Sequence, residues 1–529
     1  MRVAVVGSGV SGLAATWLLN EFSEHEVHLY EADDRPGGHA NTVTFTPPGK
    51  TEPVDVDTGF IVFNPTTYPN FISFLSRYPD LKRRILPTEM TFSVSRDNGL
   101  FEWAGKNLFT VFCQPSRLLD MRMWRLLYDV LRFNACARRL VIAQKSKKTD
   151  ELEGLDISIG EYLEREGYSD AFRDDYLVPM TAAIWSTPPD TCALDFPALL
   201  LLSSRAYVNQ IISKMPLAQL HLSTPIHSLR NLPTSSSPTT STSTIVPGRS
   251  SAPSPPPLAF HQVELTTATG AKEVFDHVIL ACHSDTSLDI LNNGGDITDD
   301  EERLLSGIKW NRNECILHCD PNLMPKKRVA WSCWNYLTTS GVDEEGTQRA
   351  NVNEISLTYG MNDLQHLNER EHGPVLVTLN APFEPAKDLT IGRYKYDHPL
   401  LDATAVRCQE EFHAIQNIRG ISYAGAWLRY GFHEDGFASG LRAVMNIPGW
   451  EDTIQPPFEI KSAESEPKPA AAAIIFDILE GTGLSTMFGM FLGTWLGVVR
   501  TVLGVVVDLS HLDEPKKVKG KGKGKVKAD

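Results

Sequence analysis

The chain has 529 residues, of which 42% are hydrophobic and 22% are charged. These values are typical of a globular protein, and the length allows two or three folded units. The net charge of −15 argues against a nucleic-acid-binding protein, because such proteins need a positive surface.

The eight cysteines are scattered, and no two of them form a CxxC pair. Cys315 and Cys319 flank His318 but have no second pair that would complete a zinc site. We therefore expect no metal centre and expect the thiols to be reduced and buried. No secretory signal precedes the first predicted strand, so we expect the folded body to be intracellular.

The first forty residues carry the strongest signal. An apolar run at residues 3–6 predicts a buried strand, and apolar spacing over residues 13–19 predicts a helix. The turn between them consists of Gly7, Ser8, Gly9, Val10, Ser11 and Gly12. Gly7 permits the sharp bend, Gly9 lets the backbone approach a pyrophosphate, and Gly12 lets the helix lie close to the strand. The phosphates would face free N–H groups at the positive end of the helix.

A carboxylate stands where a dinucleotide-binding unit holds ribose hydroxyls. Glu31 ends a second apolar run, at residues 27–30, and follows Gly12 by 19 residues. After Ala32 comes a second glycine turn with a cation that can face phosphate, formed by Arg35, Gly37, Gly38 and His39. An NAD enzyme does not need this second turn, whereas an extended FAD molecule does. The sequence therefore predicts FAD as the cofactor.

With these two turns the sequence resembles the two-glycine-motif flavoproteins of the flavin amine oxidase and phytoene desaturase superfamily. The resemblance covers residues 1–450 apart from a low-complexity tract. It implies that Gly59 passes near the flavin ring, although an ordinary edge strand with a turn is the alternative. It also implies that Ile226 touches the adenosine half through its backbone. Ala281, at the end of an apolar strand, would lie where the chain crosses the pyrophosphate.

A second flavin motif occurs late in the chain. Residues 421–427 predict a strand ending in glycine, and a helix is predicted from Leu441. The segment resembles the carboxy-terminal flavin motif, which implies cofactor contacts from Gly425, Glu434, Asp435 and Gly436. The start of the helix would place N–H groups and a positive dipole near the pyrimidine edge of the flavin. The motif contains no cysteine, so a thioether bond to the flavin at this position is excluded.

The pattern departs from the monoamine oxidases. The second glycine turn ends in His39 where those enzymes usually have arginine, and the late loop reads His-Glu-Asp-Gly. The whole pattern is closer to a branch of predicted flavoproteins that is often associated with fatty-acid-modifying methyltransferases. These departures weigh against amine chemistry.

The motifs predict an α/β fold, in which a Rossmann-like FAD-binding domain is interrupted by an α+β substrate domain. The FAD-binding domain takes residues 1–75, 216–300 and 413–450, with a disordered Ser/Pro-rich insertion at 233–257. The substrate domain takes a helical part at 76–215 and a sheet at 301–412. Basic helical residues at 107–148 are expected to pack with a solvated face, and contact with a membrane surface is the alternative.

A hydrophobic segment follows the last flavin motif. Residues 484–507 contain one charge, Arg500, and about 20 apolar residues suffice to cross a bilayer. Gly489, Gly493 and Gly497 form a row of small residues suited to close helix contact. The lysine-rich tail at 508–529 is typical of cytoplasmic placement or anionic-lipid contact. We expect a membrane helix that spans the bilayer or lies on it, and a buried amphipathic helix is the alternative.

The sequence thus predicts an FAD-dependent oxidoreductase that takes a hydride from a hydrophobic, lipid-like substrate. His433 is the candidate catalytic residue, because it lies in the late motif and histidine titrates near neutrality; holding the loop is its alternative role. Trp331, Trp334 and Tyr359 are candidate walls of an apolar pocket. Two other functions stay open, a true amine oxidase and a membrane-bound scaffold that keeps FAD only for structure. The oligomeric state is not indicated.

Overall fold

In this computed structural model, the described residues are 1–137, 139, 159–184, 199–232, 262–342, 348–350, 356–450, 454–462, 471–505, 507, 509 and 512. The expected Ser/Pro-rich insertion at 233–257 and the lysines of the tail lie outside these ranges.

A five-stranded parallel sheet organises the cofactor domain. Its strands lie in the order Leu220–His221, Glu26–Tyr30, Arg2–Val6, His277–Leu280 and Ile421–Tyr423. The first strand is central because its apolar residues are covered on both sides, as parallel strands require. Since all five strands run in the same direction, their carboxyl ends meet at one edge of the sheet.

Two helices cover one face of this sheet at close range. The first helix, Val10–Phe22, lies beside the late helix, His433–Met445. A Cβ at Gly440 would lie 2.1 Å from the Ser11 carbonyl oxygen, and one at Gly436 would lie 2.6 Å from Val10 Cγ1. Only glycine at these two positions allows this separation between the helices.

The prediction that the late helix begins at Leu441 is wrong, because the helix begins eight residues earlier, at His433. Glycine usually weakens a helix, because it loses much backbone entropy on folding. Here Gly436 and Gly440 form the surface that packs on the first helix. The predicted acidic loop is therefore the first turn of a helix.

The substrate domain is built on a seven-stranded sheet. Its order is Thr390–Lys395, Glu314–His318, Leu376–Leu379, Ser356–Gly360, Trp334–Thr338, Phe92–Arg96 and Phe101–Ala104. The substrate-domain sheet was predicted from residues 301–412 alone. Its last two strands, Phe92–Arg96 and Phe101–Ala104, come instead from residues 76–215, which were expected to be helical. They join through a parallel pairing of Phe92–Arg96 with Trp334–Thr338, a contact between residues far apart in sequence.

The smaller sheets are formed by Thr42–Phe45 with Val54–Asp57, by Val62–Phe63 with Leu199–Leu201 and Leu86–Thr88, by Ile226–Asn231 with Val263–Thr267 and Lys272–Phe275, by Lys309–Asn311 with His398–Leu400, and by Ser340–Val342 with Gln348–Ala350. The chain ends the parallel sheet at Leu220–His221 and then starts a separate antiparallel sheet at Ile226–Asn231.

The remaining α-helices are Pro69–Ser76, Pro79–Arg84, Leu108–Val111, Met121–Cys136, Ile159–Arg165, Asp170–Phe172, Val178–Ile184, Ser204–Ile212, Ser284–Gly294, Asp299–Ser306, Met361–Leu364, Glu369–His372, Ala403–Glu411, Ala472–Gly481 and Leu484–Leu503. The described cysteines are all free thiols, and Cys192 lies outside the described residues. Most of the free thiols are buried, as expected.

The apolar tail helix, Leu484–Leu503, follows a shorter helix that packs on Met121–Cys136. Arg132 and Arg139 form ion pairs with Glu480 and Asp477 of that shorter helix. The tail helix itself buries only Leu496. It is long and apolar enough to cross a membrane by length and composition, with 6% of its most apolar window buried.

The contact between the first and late helices gives a stability prediction. We expect Gly440→Ala to lower the free energy of unfolding by about 1–3 kcal/mol, because the added methyl group meets backbone that has no space to move into. Gly489→Ala is the matched control, since a Cβ there meets nothing within 4 Å. The control should change stability by less than about 1 kcal/mol. Denaturant unfolding of both variants tests this, and equal stabilities would contradict the packing account.

Candidate active site

The first glycine turn has the geometry of an anion-binding turn. Gly7 has φ of +100°, which favours glycine, and a Cβ at Gly12 would lie 1.9 Å from the Gly7 carbonyl oxygen. A Cβ at Gly9 meets nothing within 4 Å, so this side of the turn is open. The helix that follows has no side-chain cap and no acid in its first turn. Its first N–H groups therefore form a site for an anion.

The second glycine turn lies directly against the first. The Gly37 N–H donates to the Ser8 carbonyl oxygen at 3.0 Å, and a Cβ at Gly38 would lie 3.1 Å from Gly9 Cα. Arg35 Nη2 donates to the Gly38 carbonyl oxygen at 2.9 Å. Arg35 Nη1 is buried and has no hydrogen-bond partner among the described residues. A buried guanidinium nitrogen without an acceptor fits a phosphate oxygen as its partner.

Glu31 lies at the end of its strand, beside both turns. One carboxylate oxygen accepts from the Ser8 N–H at 2.8 Å and from the Ser8 hydroxyl, and the other accepts from the Asp33 N–H at 2.9 Å. These bonds fix the carboxylate at the sheet edge. Each oxygen keeps acceptor capacity, because a carboxylate offers about four lone-pair positions.

The strand Val54–Asp57 brings Gly59 to His39. A Cβ at Gly59 would lie 2.2 Å from the His39 carbonyl oxygen, which accepts from the Phe60 N–H at 2.8 Å. His39, Gly59 and Phe60 line a cavity of about 420 Å³ between the cofactor domain and the substrate sheet. The contact between Gly59 and His39 thus connects the second glycine turn to this cavity.

The late helix presents its first turn at the same edge. The Asp435 carboxylate accepts from the Phe432 N–H at 3.0 Å, and burial raises the pKa of Asp435 to about 7. Gly425 lies nearby, two residues after the strand Ile421–Tyr423, and its N–H donates to Ser439 Oγ at 2.9 Å. Asp435, Gly436 and Gly425 therefore share one corner with the first helix.

Glu434 points away from this corner. One carboxylate oxygen accepts from the Asn70 backbone N–H at 3.0 Å and from Asn70 Nδ2 at 2.6 Å, and the other accepts from the Phe71 N–H at 3.0 Å. The carboxylate thus caps the start of the helix Pro69–Ser76, where a negative charge is favourable. The backbone N–H of Glu434 stays at the start of the late helix, but its carboxylate is used by a neighbouring helix.

His433 is the first residue of the late helix and lines the cavity. Its ring stacks on Phe60 with centroids 3.7 Å apart, and Nε2 lies 2.5 Å from the Tyr207 hydroxyl oxygen. Burial lowers the pKa of His433 to about 3 and raises that of Tyr207 well above its usual value. The expectation that His433 titrates near neutrality is therefore wrong. The Tyr207 hydroxyl and the neutral His433 ring therefore share one hydrogen bond.

The aromatic residues predicted to line a pocket divide into two groups. Trp334 and Tyr359 line the cavity. Trp331 does not, because its indole N–H donates to the Pro325 carbonyl oxygen at 2.8 Å and its ring lies 3.7 Å from the Arg328 guanidinium carbon. The cation–π contact and this hydrogen bond hold Trp331 outside the cavity lining.

The structure brings most of the predicted cofactor residues to one edge of the parallel sheet. Ala281 contacts the first turn, since a Cβ at Gly7 would lie 2.8 Å from its carbonyl oxygen. Ala32 is exposed in the loop after Glu31. Ile226 begins the antiparallel strand just after Thr224, whose N–H donates to the Glu31 carbonyl oxygen at 2.8 Å. Ile226 thus adjoins the end of the site at Glu31, far along the sequence from both turns.

Several residues of the cavity were not predicted from the sequence. Five of them line it, namely Asn311, Asn313, Asn380, Tyr396 and His398, and Tyr207 contacts the lining residue His433. None lies in a glycine motif or in a regular polar pattern, and they come from separate strands and a helix. The sequence held no signal that would have grouped them.

Part of the chain matches a known protein family. The NAD(P)-binding Rossmann-like domain family matches residues 5–78. Among curated proteins, none matches the chain.

Solved structures cover most of the chain. A CLA-producing fatty acid isomerase from P. acnes has 13% identity and a TM-score of 0.50, over 83% of this chain and 96% of that one. A cyclohexylamine oxidase from Brevibacterium oxydans has 12% identity and a TM-score of 0.51, over 84% and 98%. A putrescine oxidase redesigned in cofactor binding has 14% identity and a TM-score of 0.52, over 84% and 99%.

Identities this low establish the fold alone. The fold class predicted from the sequence is confirmed. The chain has a Rossmann-like domain with a parallel sheet, and it shares its fold with proteins named as a fatty acid isomerase, a cyclohexylamine oxidase and a putrescine oxidase. Among the described residues, one helix near the carboxyl terminus is long and apolar enough to cross a membrane.

The unpartnered nitrogen of Arg35 gives a binding prediction. We expect Arg35→Gln to weaken FAD binding about 10–100-fold, because one charge-assisted hydrogen bond to phosphate is lost. Arg83→Gln is the control, since the Arg83 side chain is 75% exposed. Titration of apoprotein with FAD measures both affinities. An unchanged affinity in Arg35→Gln would show that this guanidinium does not face the cofactor.

Proposed function

We propose that the protein is an FAD-dependent oxidoreductase that removes a hydride from a hydrophobic, lipid-like substrate. The observation that carries the proposal is the meeting of two glycine turns and the unpartnered Arg35 nitrogen at the carboxyl edge of a parallel sheet, next to a cavity whose lining is largely apolar. Ligands of doubly wound sheets bind at this edge. One neighbour in fold is named as a fatty acid isomerase, which supports a lipid-like substrate.

The residues present fit FAD. The open face at Gly9 and the uncapped helix start would hold the pyrophosphate, Glu31 would hold ribose hydroxyls, and Arg35 would pair with phosphate. Asp435 and Gly436 would face the ribityl chain and flavin at the start of the late helix. When bound, FAD supplies the hydride acceptor, N5, and oxygen would reoxidise it.

The chain itself would supply orientation and a dry pocket. The walls from Trp334, Tyr359 and Met90 would hold an apolar substrate and exclude water. The late helix would direct its positive end towards the flavin and stabilise added negative charge there. His433, neutral and stacked on Phe60, would position the reacting groups and would not act as a base, because its pKa is about 3.

An amine oxidase is the second candidate function. Two neighbours in fold are named as oxidases of cyclohexylamine and putrescine, and aromatic walls can hold a cationic amine through cation–π contacts. No aspartate, glutamate, lysine or arginine is found among the described residues that line the cavity. A lipid-like substrate therefore fits the lining better.

Anaerobic reduction of the bound flavin tests the function. We expect bleaching by lipid extracts, with hydrogen peroxide released when air returns. We expect His433→Ala to slow reduction about 10–100-fold while FAD stays bound, because the reacting groups lose their positioning. His413→Ala is the control, since His413 is exposed. Bleaching by monoamines or polyamines alone would select the amine oxidase, and no bleaching by any donor would select the scaffold.

We also propose that the tail helix attaches the protein to a membrane, with the body in the cytoplasm. One continuous stripe of the helix is exposed, including Phe488, Phe491, Trp495, Val498 and Val502. A helix of this length spans about 30 Å, the thickness of a bilayer core. The lysines that follow it in sequence suit contact with anionic lipids.

Fractionation tests this attachment. We expect the wild-type chain to sediment with membranes and the double variant Phe491→Glu, Trp495→Glu to become soluble, because each charge costs about 2.5–3.5 kcal/mol in the bilayer core. Leu217→Glu is the matched control, since Leu217 is 88% exposed but lies in another part of the chain. A wild-type chain that stays soluble without detergent would contradict the attachment.

A further inference from the structure

Part of the cavity lining is polar but uncharged. Hydrogen bonds join its four side chains, which are Asn311, Asn313, Asn380 and His398, and Trp334 and Leu357 are among the apolar lining residues. The described lining contains no carboxylate and no lysine or arginine. A charged group bound here would lack a partner of opposite charge among the described lining residues, and removing an unpaired charge from water is costly. The lining therefore suits a molecule with an apolar body and an uncharged polar end.

A series of hydrogen bonds fixes the orientation of the asparagine side chains in this polar part of the lining. The Glu314 backbone N–H, which can only donate, donates to Asn380 Oδ1 at 3.1 Å. Asn380 must therefore offer Nδ2 on its other side, where it donates to Asn313 Oδ1 at 2.8 Å. Asn313 in turn offers Nδ2, which lies 3.2 Å from His398 Nδ1.

The last hydrogen bond in this series determines the tautomer of His398. Because Asn313 Nδ2 is a donor, His398 Nδ1 is the acceptor and carries no proton. Burial lowers the pKa of His398, so the ring is neutral and its one proton lies on Nε2. No hydrogen bond from Nε2 is found within the described part of the chain, although His39 lies edge-on at 5.8 Å between ring centroids.

We propose that His398 is the residue that selects the substrate, and that its Nε2–H donates to an uncharged oxygen, such as an ester carbonyl, on a long-chain apolar molecule. This inference rests on the proposed function and names the substrate class of the same cavity. Asn313 and Asn380 are positioning residues that act through His398.

The donor decides between the ligand classes. An ammonium group has only N–H donors, so it cannot accept from His398 and would leave that donor unsatisfied. A carboxylate can accept, but its charge would have no cation among the described lining residues. An uncharged carbonyl accepts the hydrogen bond without burying a charge. A site that donates a hydrogen bond to its substrate discriminates against ligands that leave the donor unpaired.

The first experiment reads the tautomer without any substrate. In full-length holoprotein labelled with ¹⁵N-histidine, we expect His398 to show a protonated Nε2 and an unprotonated Nδ1, assigned by loss of its signals in His398→Gln. Asn313→Asp replaces a donor with an acceptor of similar size. We expect this variant to move the proton onto Nδ1. A wild-type ring with Nδ1 protonated, or a variant with no change, would show that these hydrogen bonds do not set the tautomer of His398, and would overturn the proposal.

The second experiment compares three probes with the same apolar body, namely methyl laurate, laurate and dodecylamine. Binding to the holoprotein, followed by tryptophan fluorescence, should favour methyl laurate by about tenfold or more. His398→Leu should remove this preference while the flavin content stays unchanged, and His398→Gln should retain it within about threefold because glutamine keeps an N–H donor. Equal or tighter binding of laurate or dodecylamine would overturn the assignment.

These readouts separate this inference from the proposed function. If methyl laurate binds with the stated preference but no lipid reduces the flavin, the proposed reaction fails and the assignment of His398 stands. If lipids reduce the flavin but the tautomer or the preference is absent, the assignment of His398 fails and the proposed reaction stands.

Discussion

The free N–H groups at the start of the first helix are the constraint on which the rest of the site depends. They can serve an anion only if the helix lies close to the end of its strand, and Gly7 and Gly12 permit that approach. The late helix then lies directly against the first, because Gly436 and Gly440 carry no side chain that would separate them. Two helix starts therefore point towards one edge of the sheet, where their positive ends add.

The surroundings of this edge are arranged around buried groups that stay neutral. Burial lowers the pKa values of His433, His398, His283 and His39, so a cluster of imidazoles at the cavity and beside it carries little charge. Arg35 is the cation held against the glycine turns. The proposed positions of phosphate and substrate follow this division, with charge at the turns and apolar or uncharged surface at the cavity.

The sequence predicted what depends on local pattern. The strand, turn and helix of residues 2–22 follow from apolar spacing and three glycines, and the second turn follows from its position after Glu31. The start of the late helix was missed because Gly436 and Gly440 were interpreted as loop residues, whereas tertiary contact keeps them helical. The strands Phe92–Arg96 and Phe101–Ala104 were missed because their pairing partners lie far along the chain. The hydrogen bonds from Asn380 through Asn313 to His398 join residues at the ends of three strands and have no sequence pattern at all.

The account stands on one bound molecule of FAD per chain, held at both ends by the glycine motifs. The most direct measurement is the visible spectrum of the purified chain, followed by denaturation and identification of the released chromophore. The account predicts a yellow protein that releases about one FAD per chain without covalent attachment. A colourless protein that releases no flavin and binds none when FAD is added would contradict it.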